Sequence, residues 1–100
     1  MHPSKVNRAE LSQLTDLPNI GPAMAADLQL LGIHTPQQLI GQSPYQMYLK
    51  LCDLTATQHD PCVLDVFMSI TRFMAGEAAK PWWDYTAERK VMLRSLSKPI

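Results

Sequence analysis

The stretch His59-Asp60-Pro61-Cys62 gathers the side chains of catalytic type in this chain. Asp60 ahead of Pro61 has the pattern of a helix cap, which sets Cys62 in a first helical turn. A thiol there feels the positive end of the helix dipole, and with His59 just upstream it would form a reactive thiolate or a Cys–His pair. The same residues fit a quieter arrangement, with Asp60 as cap, His59 closing the loop and Cys62 packed as a small hydrophobe. No third group or oxyanion donor can be assigned around them. The chain is therefore not expected to be an enzyme, and no catalytic residue is assigned. Cys52, His59, Cys62 and Asp65 carry metal-binding atom types, but their spacing lacks a paired Cys-x-x-Cys, so no metal and no cofactor are expected. Two cysteines in so small a chain, with nothing else pointing to an oxidising compartment, are expected to be free thiols.

A second cluster is aromatic. Trp82-Trp83-Asp84-Tyr85 stands beside Arg89 and Lys90. Stacking rings next to cations suit single-stranded nucleic acid better than duplex. Trp82, Trp83 and Tyr85 would equally clasp a protein partner, or lie back over the core as a lid.

The third is a turn, Leu17-Pro18-Asn19-Ile20-Gly21-Pro22-Ala23-Met24-Ala25. Asn19 and Gly21 both tolerate positive φ, Ile20 between them would plug the gap between two helices, and Ala23, Ala25 and Ala26 allow close approach. The open amides of Ile20, Gly21, Ala23 and Met24, at the positive end of a helix, are an anion site in principle. Pro22 has no N–H to offer.

Residues 11–33 resemble the helix-hairpin-helix superfamily, whose turn reads apolar-x-Gly-apolar-Gly before its second helix. The resemblance implies that Ile20, Gly21, Ala23 and Met24 present amides to a DNA phosphate. Asn19 stands at the first glycine position, and Ala23 and Met24 stand where DNA-binding members often carry a basic residue; the first charge met is Asp27. A wider resemblance runs through residues 17–21, 27–33, 43–51, 59–67 and 81–90. There the chain is similar to small bacterial helix-hairpin-helix proteins labelled after a pathogenicity locus or as mitomycin-resistance-like, and to the C-terminal domain of TfoX-type competence regulators. That likeness implies a DNA-related setting without naming a reaction.

The elements that must position these residues are well punctuated. Asn7 and Glu10 have capping-box spacing before Leu11, Leu14 and Leu17, which predicts a first helix. Pro22 opens a second that stops at Gly32, with Ile33 packing back. Thr35-Pro36-Gln37-Gln38 and Ser43-Pro44-Tyr45-Gln46 repeat one start signal, the first for a short helix ended by Gly41 and the second for a longer one carrying Met47, Tyr48, Leu51 and Cys52. Asp60 caps a helix whose Val63, Val66, Phe67, Ile70, Phe73 and Met74 form a stripe before Gly76. Thr86 is expected to cap a last helix to about Leu96. Nothing alternates like a strand. The expectation is all-α: a compact, SAM-like bundle of five to six short helices in a single domain spanning 1–100, with a hairpin core at 11–33 and an aromatic, basic segment at 80–100.

Composition narrows the partners. Hydrophobic residues make up 46% and charged residues 18% of 100 residues, as in a globular protein. No apolar run is long enough for a membrane span, and residues 1–5 lack the apolar stretch of a secretory signal, so a cytoplasmic setting is expected. The net charge is zero, unusual for a duplex binder. It is also uneven. Lys50 and Arg72 face six acids between residues 11 and 79, a net of −4, whereas residues 80–100 carry five basic residues against Asp84 and Glu88, a net of +3. Two functions fit. One is DNA binding, to duplex or single strand, through Ile20, Gly21, Ala23 and Met24 with Arg89 and Lys90 as cations. The other is protein interaction or assembly through Trp82, Trp83 and Tyr85.

Overall fold

Proline and glycine set most helix boundaries. The structure is a computed structural model that describes residues 1–96; Lys98 and the rest of the expected basic tail lie outside the described residues. Among the described residues every regular element is helical. There are four α-helices, α1 (Pro22–Leu30), α2 (Pro44–Thr55), α3 (Cys62–Met74) and α4 (Thr86–Leu96), and five 3-10 turns.

The expected first helix is not α-helical. It is two one-turn pieces, Arg8–Glu10 and Leu14–Asp16. Asn7 Oδ1 accepts the Ala9 amide, and Leu11 is then extended at ψ 108°. The Asp16 carboxylate accepts the Ser12 and Gln13 amides, closing a new cap where a helix would have continued. Leu17, ahead of Pro18, is extended at ψ 152°, as a pre-proline residue prefers. The short helix expected after Thr35 is likewise one 3-10 turn, Pro36–Leu39, although its capping box forms as read, with Gln38 Oε1 accepting the Thr35 amide.

The other boundaries follow local chemistry. Gly32 at φ +82° lets the Ile33 amide reach Leu28 O at 2.9 Å, and Ile33 packs into the core. Ser43 Oγ accepts the Gln46 amide to start α2, and Asp60 Oδ1 accepts the Cys62 amide at 2.8 Å to start α3. Thr86 does not cap α4. It is the first residue of that helix, and its hydroxyl donates instead to Asp65 Oδ2 at 2.7 Å.

α3 is the axis of the molecule. It packs against α2, the Pro36–Leu39 turn, the Trp82–Tyr85 turn and α4. Burial therefore extends past the expected stripe to Leu64, Met68, Asp65 and Ser69. Leu64, Phe67 and Ile70 are wholly buried, each contributing about 1.5–3 kcal/mol. A helix enclosed this way must satisfy its polar side chains internally. Ser69 Oγ donates to Val66 O at 2.6 Å, and Asp65 finds its partners on α4. At the far end of α3, Arg8 Nη1 donates to Phe73 O and Nη2 to Glu77 O, both at 2.6 Å, with the guanidinium 3.9 Å over the Phe73 ring. This fastens the N-terminal turns to the last turn of the central helix. Among the described residues no helix is long and apolar enough to cross a membrane.

Candidate functional site

The turn at residues 17–21 is built around Asn19, which takes the left-handed conformation at φ 67°. Its Nδ2 donates to Ser69 Oγ at 3.0 Å and to Lys80 O at 2.9 Å, which ties the turn to α3 and to the segment leading into the tryptophans. Its backbone N–H donates to Met1 O at 2.8 Å, while the Met1 amine donates to Leu17 O and Ile20 O. Ile20 fills the gap as expected, with 1% of its surface exposed. Gly21 has no need of glycine's freedom. Its φ of −99° is ordinary, and a Cβ there would meet nothing within 4 Å.

Gly21 caps α1 without a side chain, and the first intrahelical bond runs from the Ala25 amide to Gly21 O. The Ala23 and Met24 amides thus belong to the helix opening, where no acceptor exists within the helix.

Trp82 and Trp83 stand next to this turn. Their rings meet edge to face, with centroids 5.5 Å apart and planes at 83°. Trp82 is half-buried against the core, whereas Trp83 is 59% exposed. Together with Asn19, Ile20 and Gly21 on one wall and residues 1–3 on another, the two rings line an open concavity of about 290 Å³. Two sequence features 60 residues apart are thereby one surface. Asn19 Nδ2 to Lys80 O is the bond that brings them together.

Not every residue foreseen for this region belongs to it. Tyr85 is a core strut, not a contact residue. Only 4% of it is exposed, and its hydroxyl donates to Glu77 Oε1 at 3.3 Å. Burial, with the Glu77 carboxylate beside it, pushes its phenol up to about 12. Arg89 faces inward: its Nε donates to Asp65 Oδ1 at 2.8 Å and its Nη2 lies 3.5 Å from Oδ2. Asp65 is fully buried, and its carboxylate holds the Arg89 guanidinium still more firmly protonated. Arg89 is therefore a structural cation, away from the walls of the concavity. Lys90, the next residue, is exposed on α4. Sequence reasoning missed the Asp65–Arg89 pair and the contribution of residues 1–3; an acid in the first turn of a helix carries no signal of a partner on another helix.

His59 and Cys62 have different partners. Cys62 does begin α3, but the Asp60 carboxylate that caps the helix also takes the thiol's hydrogen bond, and with burial this pushes Cys62 up, away from thiolate. His59 is tied down separately. Its Nε2 lies 2.9 Å from Thr55 Oγ1, its amide donates to Cys52 Sγ at 3.5 Å, and its carbonyl accepts the Tyr48 hydroxyl. Both cysteines are free and half-buried. Among the described residues no three His, Cys, Asp or Glu side chains converge as metal ligands do. A cavity of about 410 Å³ beside Tyr48, Cys52 and Thr57 has walls without a charged pair or a converging set of donors.

A sequence model of the pathogenicity locus family, Cdd1, matches residues 7–91. The chain is 38% identical over 82 residues to mitomycin resistance protein McrB of Streptomyces lavendulae, a match covering 82% of this chain and 78% of the relative. No solved structure matches. With the family model covering most of its length, the chain belongs to the Cdd1 pathogenicity locus family.

Proposed function

We propose that this protein is a nucleic-acid-binding domain that takes an unpaired base on Trp83 and the adjoining phosphate at the opening of α1. The observation that carries the reading is the shared concavity, in which an exposed Trp83 and a half-buried Trp82 stand against the Asn19-Ile20-Gly21 turn. A volume near 290 Å³ is at the small end of the roughly 300–1,000 Å³ range of ligand pockets, suited to a single planar group and not to a duplex. An aromatic face accepts any base, so the binding is independent of sequence. Amides at a helix opening favour the anion beside it. Zero net charge sets the affinity low, because little of it comes from released counterions. The relative's name links that protein to mitomycin resistance, and on this reading the present chain serves such resistance by binding DNA.

The test is an amide-resolved NMR titration with a short duplex and then a single strand at about 50 mM salt, where counterion release still helps. Shifts centred on residues 19–24 and the Trp82 and Trp83 indoles, stronger with the single strand, are the expected result. Absence of shifts with either ligand overturns it.

A protein partner is the second reading, favoured by the 59% exposure of Trp83 together with a neutral chain. It requires self-association or capture of a partner that Trp83→Ala abolishes while nucleic acid has no effect.

A further inference from the structure

The concavity that holds Trp82 and Trp83 includes a side chain that the reading above leaves unused. His2 lines it and caps the 3-10 turn Pro3–Lys5. Its Nδ1 accepts the Ser4 amide at 3.1 Å and lies 2.7 Å from Ser4 Oγ. A backbone N–H can only donate, so Nδ1 is without a proton and the neutral ring carries its hydrogen on Nε2. The cap thereby sets the tautomer, and it leaves Nε2–H as a donor with no partner among the described residues.

Capping alone does not require histidine. A short oxygen-bearing side chain does it at least as well, and elsewhere in the chain Asn7, Ser43 and Asp60 fill that role. What an imidazole adds over asparagine is a second nitrogen that reaches past the capped amide. The rest of the lining decides what that nitrogen suits. None of the residues around the concavity is acidic, and the Trp82 and Trp83 indoles bring further N–H groups without an acceptor among the described residues. Aromatic rings, unspent donors and no carboxylate together fit a planar group that carries an anion.

We infer that His2 is a phosphate-binding residue of this concavity, its Nε2–H donating to the phosphate of a nucleotide whose base lies on Trp83. The phosphate is then held between residues 1–3 and the opening of α1. The inference rests on the nucleic-acid reading above and adds to it the side chain that grips the phosphate.

The experiment titrates the full chain with thymidine and with the methyl ester of thymidine 5′-phosphate, and reads intrinsic tryptophan fluorescence. The ester carries the single charge of a phosphate within a strand. It is expected to bind about tenfold or more tightly than thymidine, as a hydrogen bond to a charged group implies. His2→Asn separates the two roles of the residue. Asparagine caps as well as any side chain but carries no donor as far out as Nε2, so the urea midpoint is expected to hold while most of the preference for the ester is lost. His34→Asn, at an exposed histidine outside the concavity, is expected to change nothing. No preference for the ester, or a preference that survives His2→Asn, overturns the inference and leaves the stacked base standing. A preference lost together with a lowered midpoint makes His2 a structural residue and overturns it as well. Quenching by neither ligand overturns the nucleic-acid reading and this inference with it.

Discussion

Substituting Arg89 with Met should be among the most destabilising single changes in this protein, although Arg89 lies on a surface helix. The reason is Asp65. Its carboxylate is wholly buried and held by Arg89 Nε at 2.8 Å and Thr86 Oγ1 at 2.7 Å. Removing the guanidinium leaves an ionised carboxylate inside α3 with one neutral donor, a situation that costs about 3–5 kcal/mol. A domain of this size has about 5–15 kcal/mol in total, so the variant should be marginal at best. At about 4–8 °C per kcal/mol, its midpoint should fall by about 12 °C or more. Asp65→Asn should cost less, about 1.5–3 kcal/mol, because Arg89 keeps 11% exposure and can turn to water. Replacing both, Asp65→Leu with Arg89→Met, removes the stranded charge and should return stability to within about 1 kcal/mol of the parent. Urea unfolding followed by circular dichroism measures all three. If Arg89→Met itself fails to fold, a folded double variant still supplies the comparison. The reasoning is refuted if Arg89→Met is as stable as Lys90→Met, an exposed neighbour, or if the double variant is no better than the single one.

Two further outcomes are expected. Asn19→Gly keeps access to φ 67° but loses the Nδ2 bonds to Ser69 and Lys80, a cost of about 1–3 kcal/mol, whereas Asn19→Ala adds about 1 kcal/mol of left-handed strain; equal unfolding midpoints for the two variants would falsify the backbone part of this account. Tyr85, raised from 10.0 to about 12, contributes stability that is complete below pH 10 and is lost as pH climbs through about 12. Tyr85→Phe should therefore lose less stability across that window than the parent, and identical alkaline unfolding curves would contradict it.

What could be read in the sequence was whatever local chemistry decides. Ser43, Asp60, the Thr35–Gln38 box and Gly32 each act within four or five residues of themselves, and each behaves as its residue type requires. The leucines at 11, 14 and 17 misled because helical spacing is necessary for a helix and not sufficient. Asp16 collecting two amides and Pro18 restricting Leu17 broke the segment into single turns. At the candidate site, Ile20 was legible as a plug because its neighbours on both sides were turn residues. Tyr85 and Arg89 were not, since their orientation is set by Glu77 and Asp65, partners 8 and 24 residues away. Cys62 was placed in the right turn, but the same cap that put it there supplied the carboxylate opposing ionisation. The meeting of Trp82 and Trp83 with the Asn19 turn depends on a side chain reaching across 61 positions, which no local pattern announces.

The clasp of Arg8 on the end of α3 has a consequence for how the chain is made. Its acceptor on Phe73 is synthesised 65 residues after it. At about 5–20 residues per second, the N-terminal turns wait roughly 3–13 s on the ribosome before the surface they dock on exists. During that interval they can hold only bonds among themselves, such as those of Asn7, Asp16 and the Met1 amine. Breaking the would-be first helix into short, polar turns keeps that waiting segment from offering a continuous apolar face to other nascent chains.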